Sequence, residues 1–409
     1  MSREAALRWW RECKAWEKCA VIVWVVVVLA VCGRGWLWPR IHTVYPIYRH
    51  AAQRWLAGED LYQAIPGYDH YRYSPLATVL LVPFSALPDR LGGLLWRLLN
   101  AAVYLGALGW WTQTALPARL TRQQRAVLFL LVVPLSVGSL NNAQTNALVL
   151  GLLLAAMAAT ARQRWSTATA CVALASFFKL YPVAIGLLLV AVYPRRFAPR
   201  LAVVLLAGLL LPFALQDPRY VFAQYGAWAE HLVSYDRHSE GVGAWYRDVL
   251  LLTRVWLGPL SRTGYLAIQL LAGAAVAGLC LAARRAGWPP CRLLALVFSL
   301  GCCWMTAFGP ATESCTYILL APALAWALLN AWLEPRPLWM RWVLVIAQVL
   351  LLLAQLATWF PQGHRFRDLG PQPLAALLFL FCLTVAAVRE VRRPDAAAGP
   401  IVAAPAHAV

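Results

Sequence analysis

Apolar residues in this chain come in long runs and not in alternation. Stretches of helix-spanning length fall near residues 19–38, 91–114, 125–141, 145–161, 165–178, 182–194, 199–215, 264–283, 291–309, 315–333, 341–360 and 372–388, each bounded by basic residues or by Pro and Gly. A bilayer's hydrocarbon core takes about 20 apolar residues of helix to cross. The pattern therefore predicts an all-α polytopic membrane protein with about twelve transmembrane helices. The first run follows a basic segment as a signal peptide would, but it is long enough to span, and it reads as an uncleaved first helix. Pro75–Pro88 is apolar but short and carries three prolines, so it is expected to be re-entrant or interfacial. Residues 1–18 are expected to form a cytoplasmic segment and 19–393 the membrane domain. The Ala/Pro-rich residues 394–409 are expected to be a disordered cytoplasmic tail.

Composition supports the membrane reading. Of 409 residues, 61% are hydrophobic and 13% charged, which argues against a water-soluble globular domain. The formal charge of +19 would suggest nucleic acid in a soluble chain. Here the basic residues act as a topology signal. With the amino terminus in the cytoplasm, 21 of the 36 Lys and Arg fall on cytoplasmic segments, whereas 11 of the 17 acidic residues fall outside. No nucleic-acid partner is needed to explain the charge. No helix carries basic residues at three-residue spacing, which disfavours a voltage sensor. The ten cysteines form no C-x-x-C pair and sit mostly in apolar runs, so neither a disulfide framework nor a zinc site is expected.

This topology puts the two long polar intervals, the first exoplasmic loop (39–90) and a second (216–262), on one side. In the first, Tyr48–Leu61 predicts an amphipathic interfacial helix with Tyr48, Ala51 and Trp55 toward lipid and Arg49, His50 and Arg54 toward headgroups. Its Glu59, Asp60 and Asp69, with His42 and His70, are candidate acids and bases, although for the loop's scaffold itself an interfacial anchor is the simpler account. Asn141, Asn142, Gln144, Thr145 and Asn146 crowd a hairpin turn, where they either cap helices or bind a polar ligand. Lys179 lies between apolar helices and either snorkels to headgroups or holds a lipid phosphate. Glu313 is the one acid in an otherwise hydrophobic stretch, which favours a functional role or a partner arginine. The second loop, with Asp236, Arg237, His238 and Glu240 among its charges, does not choose between acceptor contact and interface.

Four stretches in order, YPIYRHAAQRWLAGEDLY with RYSPLATVLLVPFSALP, NNAQTNALVLGLLLAA, FFKLYPVAIGLLLV and GPATESCTYILLAPALAW, resemble glycosyltransferase family 87. These are polytopic GT-C enzymes that take a sugar from a polyprenyl phosphate and include polyprenol-phosphate-mannose-dependent mannosyltransferases. The resemblance implies a GT-C-type bundle with exoplasmic loop helices in a bacterial inner membrane. It also implies inverting transfer of a hexose, mannose foremost, to a lipid or cell-envelope glycan, without a nucleotide-sugar site. The outer carboxylates hold no D-x-D pair, so a metal-independent reaction with no cofactor is expected. Lys179 matches the family's K-x-YP element and is assigned to the donor phosphate, with Arg72 as second candidate. Asn142, Gln144, Asn146, Tyr181 and Tyr317 are assigned to the substrate cavity. The family usually has Asp shortly before the aromatic residue that begins the loop helix. This chain has His42-Thr43-Val44-Tyr45 there, so the base stays open among Glu59, Asp60, Asp69 and Glu313. Rival readings are a lipid-linked-glycan flippase, which requires polar groups through the membrane depth, and a non-catalytic envelope scaffold.

Overall fold

The structure is a computed structural model and describes residues 14–234 and 241–392. Residues 1–13, the segment 394–409 expected as a tail, and Asp236, Arg237, His238 and Glu240 lie outside the described residues. Every regular element among those described is helical. In chain order they are α1 (Ala15–Leu37), α2 (Tyr45–Ala57), α3 (Pro75–Ser85), α4 (Asp89–Thr114), α5 (Arg122–Leu131), α6 (Val133–Asn141), α7 (Asn146–Ala161), α8 (Trp165–Phe178) and α9 (Val183–Val192). They continue with α10 (Pro194–Leu210), α11 (Pro218–Ser234), α12 (Val249–Trp256), α13 (Arg262–Arg285), α14 (Pro290–Ala307), α15 (Ala321–Leu333), α16 (Leu338–Leu356), α17 (Gly363–Asp368) and α18 (Pro371–Val391).

All twelve apolar stretches read from the sequence become helix, but they do not all become full spans. Among the described residues eight segments are long and apolar enough to cross a membrane, or nine if α5 and α6, bent 48° at Val132, count as one. The bend falls where Pro134 opens α6 and cannot donate to the preceding turn. α7, α8 and α9 are shorter, at 16, 14 and 10 residues. A 16-residue helix reaches only about 24 Å. α7 is tolerated because protein surrounds it and nearly every residue in it is buried. The long helices α1, α10 and α13 instead leave Leu29, Val203 and Leu271 at least 65% exposed, as a hydrocarbon-facing surface requires.

Small residues bring the central helices together. α4 and α7 pack along their lengths. A Cβ at Gly151 would meet the backbone of Val103 and Tyr104 at 2.9 Å, so only glycine allows this approach. α2 begins and ends earlier than the expected helix, stopping where Gly58 adopts φ +72°. The apolar stripe of Tyr48, Ala51 and Trp55, expected toward lipid, is instead buried in the protein core. The reason is that α3 packs over it, Trp96 of α4 meets the Tyr48 ring edge-to-face at 5.9 Å, and Tyr48 gains a hydrogen bond to the Tyr73 hydroxyl at 2.7 Å. α3 is an 11-residue helix capped by Ser74, whose hydroxyl accepts from Ala77 N–H and donates to the Phe177 carbonyl. That bond ties the first loop to the end of α8.

Candidate active site

The turn between α6 and α7 is built by its backbone, which leaves its amides for other work. Trp96 Nε1 donates to the Ala143 carbonyl at 2.9 Å, Arg97 Nη2 to the Asn141 carbonyl at 3.0 Å, and Val44 N–H to the Asn142 carbonyl at 3.0 Å. Arg97 is a buried cation in α4, and its guanidinium fills the space that a side chain at Gly35 would need. With the carbonyls so satisfied, the amides form a relay. The Tyr181 hydroxyl donates to Asn146 Oδ1 at 3.2 Å, Asn146 Nδ2 donates to Gln144 Oε1 at 2.6 Å, and Gln144 Nε2 donates to Glu313 Oε2 at 2.7 Å. Tyr181, Asn146 and Gln144 are buried, so each bond is made in a low dielectric. The Cys315 thiol approaches the same Glu313 oxygen at 3.7 Å.

Gln144, Tyr181 and Glu313 of this relay, but not the fully buried Asn146, line a chamber of about 230 Å³ together with Lys179, Arg72 and Asp69, beside apolar Ile47, Phe178 and Leu232. Lys179 caps α8 in an extended conformation, which turns its side chain out of the helix direction. Its Nζ stands 5.7 Å from the Tyr181 ring centroid. Arg72 is braced on two sides: it pairs with Asp69 at 2.8 Å and donates to the Tyr246 hydroxyl at 2.9 Å. The same Asp69 oxygen also accepts from His70 N–H. The His70 and His231 rings lie 5.3 Å apart. Burial, then His70 and Arg72 beside it, lower His231 below the ordinary histidine value.

Not every candidate joins this chamber. Glu59 and Asp60 are exposed, because Gly58 turns the chain away from α2 into solvent. The Glu59 carbonyl accepts from Tyr220, and the Asp60 carboxylate caps Tyr62 N–H. Tyr317 is fully buried and lines neither this chamber nor its neighbour; it is a strut whose hydroxyl donates to the Arg247 carbonyl at 2.7 Å. Asn142 lines an adjoining chamber of about 620 Å³, and Glu313 lines both, so its carboxylate stands at the partition. Of the four non-glycine residues with positive φ among those described, His42 and Ala311 line the two chambers and Ala143 sits in the turn between Asn142 and Gln144. Each left-handed residue costs roughly 1–2 kcal/mol, a strain that concentrates at functional sites. Sequence reasoning passed over Arg34, Arg97, Arg247 and Arg367. For Arg34 and Arg97 the available signal was a lone cation inside an apolar run; Arg247 and Arg367 lie in polar loops, which carry no such signal. Among the described residues no three His, Cys, Asp or Glu side chains group as metal ligands.

Comparison with curated proteins returns no match. Two solved structures similar to this chain are those of ArnT from Cupriavidus metallidurans, one bound to undecaprenyl phosphate and one in the apo state. The first is 14% identical with a TM-score of 0.43, over 92% of this chain and 77% of that one; the second is 15% identical with a TM-score of 0.42, over 92% and 78%. The family model of glycosyltransferase family 87 matches residues 71–310, more than half of the chain, and this multi-pass membrane protein belongs to that family.

Proposed function

We propose that the protein transfers a hexose, mannose foremost, from a polyprenyl phosphate to a lipid or cell-envelope glycan, with inversion, at the exoplasmic face of a bacterial inner membrane. The donor phosphate sits against Lys179 and Arg72, and Glu313 is the base. The Glu313 carboxylate takes the proton of an acceptor hydroxyl as that oxygen bonds to the anomeric carbon. The bond from that carbon to the phosphate oxygen breaks at the same time, and the polyprenyl phosphate leaves with the electron pair, its charge met by the two cations. Asp69 is the weaker candidate base because Arg72 and the His70 amide already occupy its oxygen; its part is to aim Arg72.

The observation that carries this reading is that a cation pair and a carboxylate from three distant segments, Arg72, Lys179 and Glu313, line one chamber with an apolar side. The test is transfer of labelled mannose from undecaprenyl phosphate to envelope lipids by the purified protein. Glu313→Gln is expected to lose on the order of 100-fold or more in rate while still binding undecaprenyl phosphate. Lys179→Ala is expected to weaken that binding about 10- to 100-fold, the worth of a charge-assisted hydrogen bond. A Glu313→Gln protein with the wild-type rate removes the assignment of the base.

A further inference from the structure

The chamber on the far side of Glu313 is the larger of the two and the more basic. Among the described residues three guanidinium groups reach its wall, Arg34 from the end of α1, Arg247 from the second loop and Arg367 from α17, and Glu313 is the one acid. Folding has brought these cations together although each repels the others. Arg247 is partly compensated: its Nη1 pairs with Asp368 at 3.1 Å and its Nη2 donates to the Gly243 carbonyl at 2.8 Å. Arg367 is compensated less. Its Nη2 meets only the His364 ring nitrogen, at 2.8 Å, and its Nε is buried without a hydrogen-bond partner. Burial and then the facing Arg247 lower its proton affinity, as expected of a cation waiting for an anion. Arg34 is half-buried, and its guanidinium has no hydrogen-bond or ion-pair partner among the described residues.

Buried or half-buried cations in excess are costly unless an anion completes them. Guanidinium forks match the oxygens of phosphate with two parallel donors. Among the described residues the one carboxylate lining the chamber, Glu313, already accepts from Gln144. We infer that this second chamber receives the acceptor, and that Arg34 and Arg367 select an acceptor carrying a phosphate group close to the hydroxyl that is glycosylated. The inference rests on the reading of Glu313 as the base at the partition, since the acceptor hydroxyl must reach that carboxylate from the side opposite the donor. Asn141 and Asn142 on the same wall supply uncharged hydrogen-bonding groups for the sugar or polyol that bears the hydroxyl.

Two sources could supply such a phosphate, a membrane phospholipid headgroup or a soluble phosphorylated polyol. The experiment uses the full-length protein in phosphatidylcholine nanodiscs. Its thermal stability is read with added phosphatidylglycerol in one arm and with soluble glycerol 3-phosphate in the other, and undecaprenyl phosphate binding is read separately. Stabilisation by at least one phosphate compound is expected. It should weaken on the order of tenfold in Arg34→Gln, whose side chain has no partner to lose on folding, and in Arg367→Gln. Both variants should keep undecaprenyl phosphate binding, and Lys179→Ala should show the reverse. Response to phosphatidylglycerol alone identifies a lipid headgroup, and response to glycerol 3-phosphate identifies a soluble acceptor. The inference is overturned if neither compound stabilises the wild type, or if the stabilisation survives Arg34→Gln and Arg367→Gln but disappears in Lys179→Ala, which would put the phosphate in the donor chamber. Failure of Lys179→Ala to weaken undecaprenyl phosphate binding would strike the donor reading alone.

Discussion

Gln144 holds two polar groups at once, taking a hydrogen bond from Asn146 and giving one to Glu313. Replacing it with leucine leaves both partners short of a bond in a buried place, a cost of about 1–3 kcal/mol. Gln144→Leu is expected to lower the transfer rate roughly tenfold with little change in undecaprenyl phosphate binding, because the base loses its aim and the cations do not. Gln144→Glu should act differently. Two carboxylates at this spacing share a proton, so the pH–rate profile should move to higher pH; an unshifted profile would show that Gln144 does not touch the base. Lys179, Gln144, Asn146 and Glu313 stand out in the sequence as candidates because a polar residue inside an apolar run has few places to go; of these Asn146 joins the hydrogen-bonded relay without lining the chamber. The choice among four acids was not legible. It depends on the turn at Gly58, which sends Glu59 and Asp60 to solvent, and on contacts between segments about 170 residues apart that pair Gln144 with Glu313.

At the scale of elements, the periodic stripe on α2 was readable but its destination was not, since the same apolar face suits lipid or protein. Packing by α3 and α4 decided it. The crossing of α4 and α7 makes a sharper prediction. At Gly151 the obstacle to any side chain is backbone, which cannot rotate away. Gly151→Val is therefore expected to destabilise the protein by about 1–3 kcal/mol, seen as a lower melting temperature in detergent, whereas Gly106→Ala, with open space around it, should be silent. Helix α11 carries a pH dependence. His231 has a folded-state pKa below its ordinary 6.5, so the docked helix favours the neutral ring. The detached state binds the extra proton once pH falls below that ordinary value, and docking weakens there. Hydrogen exchange across 218–234 should quicken as pH drops through 6.5 after correction for the intrinsic rate, and His231→Phe should remove the change. The charges in play are His70, Arg72, Asp69 and Asp60.

For the whole molecule, hydropathy located all twelve helical stretches but not how many cross the bilayer. Length and surroundings decide that, and α7 to α9 are short helices whose burial in the protein is set by distant neighbours. The sidedness of the bundle rests on charge, and it can be tested without any assay of transfer. One end gathers α2, α11, α12 and both chambers, while the other holds the basic turns and the Arg292–Glu390–Arg336 ion network. Lys and Arg in short loops resist translocation, so the second end is expected in the cytoplasm. Leu257, highly exposed after α12, and Arg119, exposed between α4 and α5, report on the two ends. Leu257→Cys should react with a membrane-impermeant maleimide on intact cells, and Arg119→Cys only after the membrane is opened, against a background with Cys19 replaced. The reverse pattern would put Lys179, Glu313 and the basic chamber in the cytoplasm, and a donor loaded at the exoplasmic leaflet would then be out of their reach.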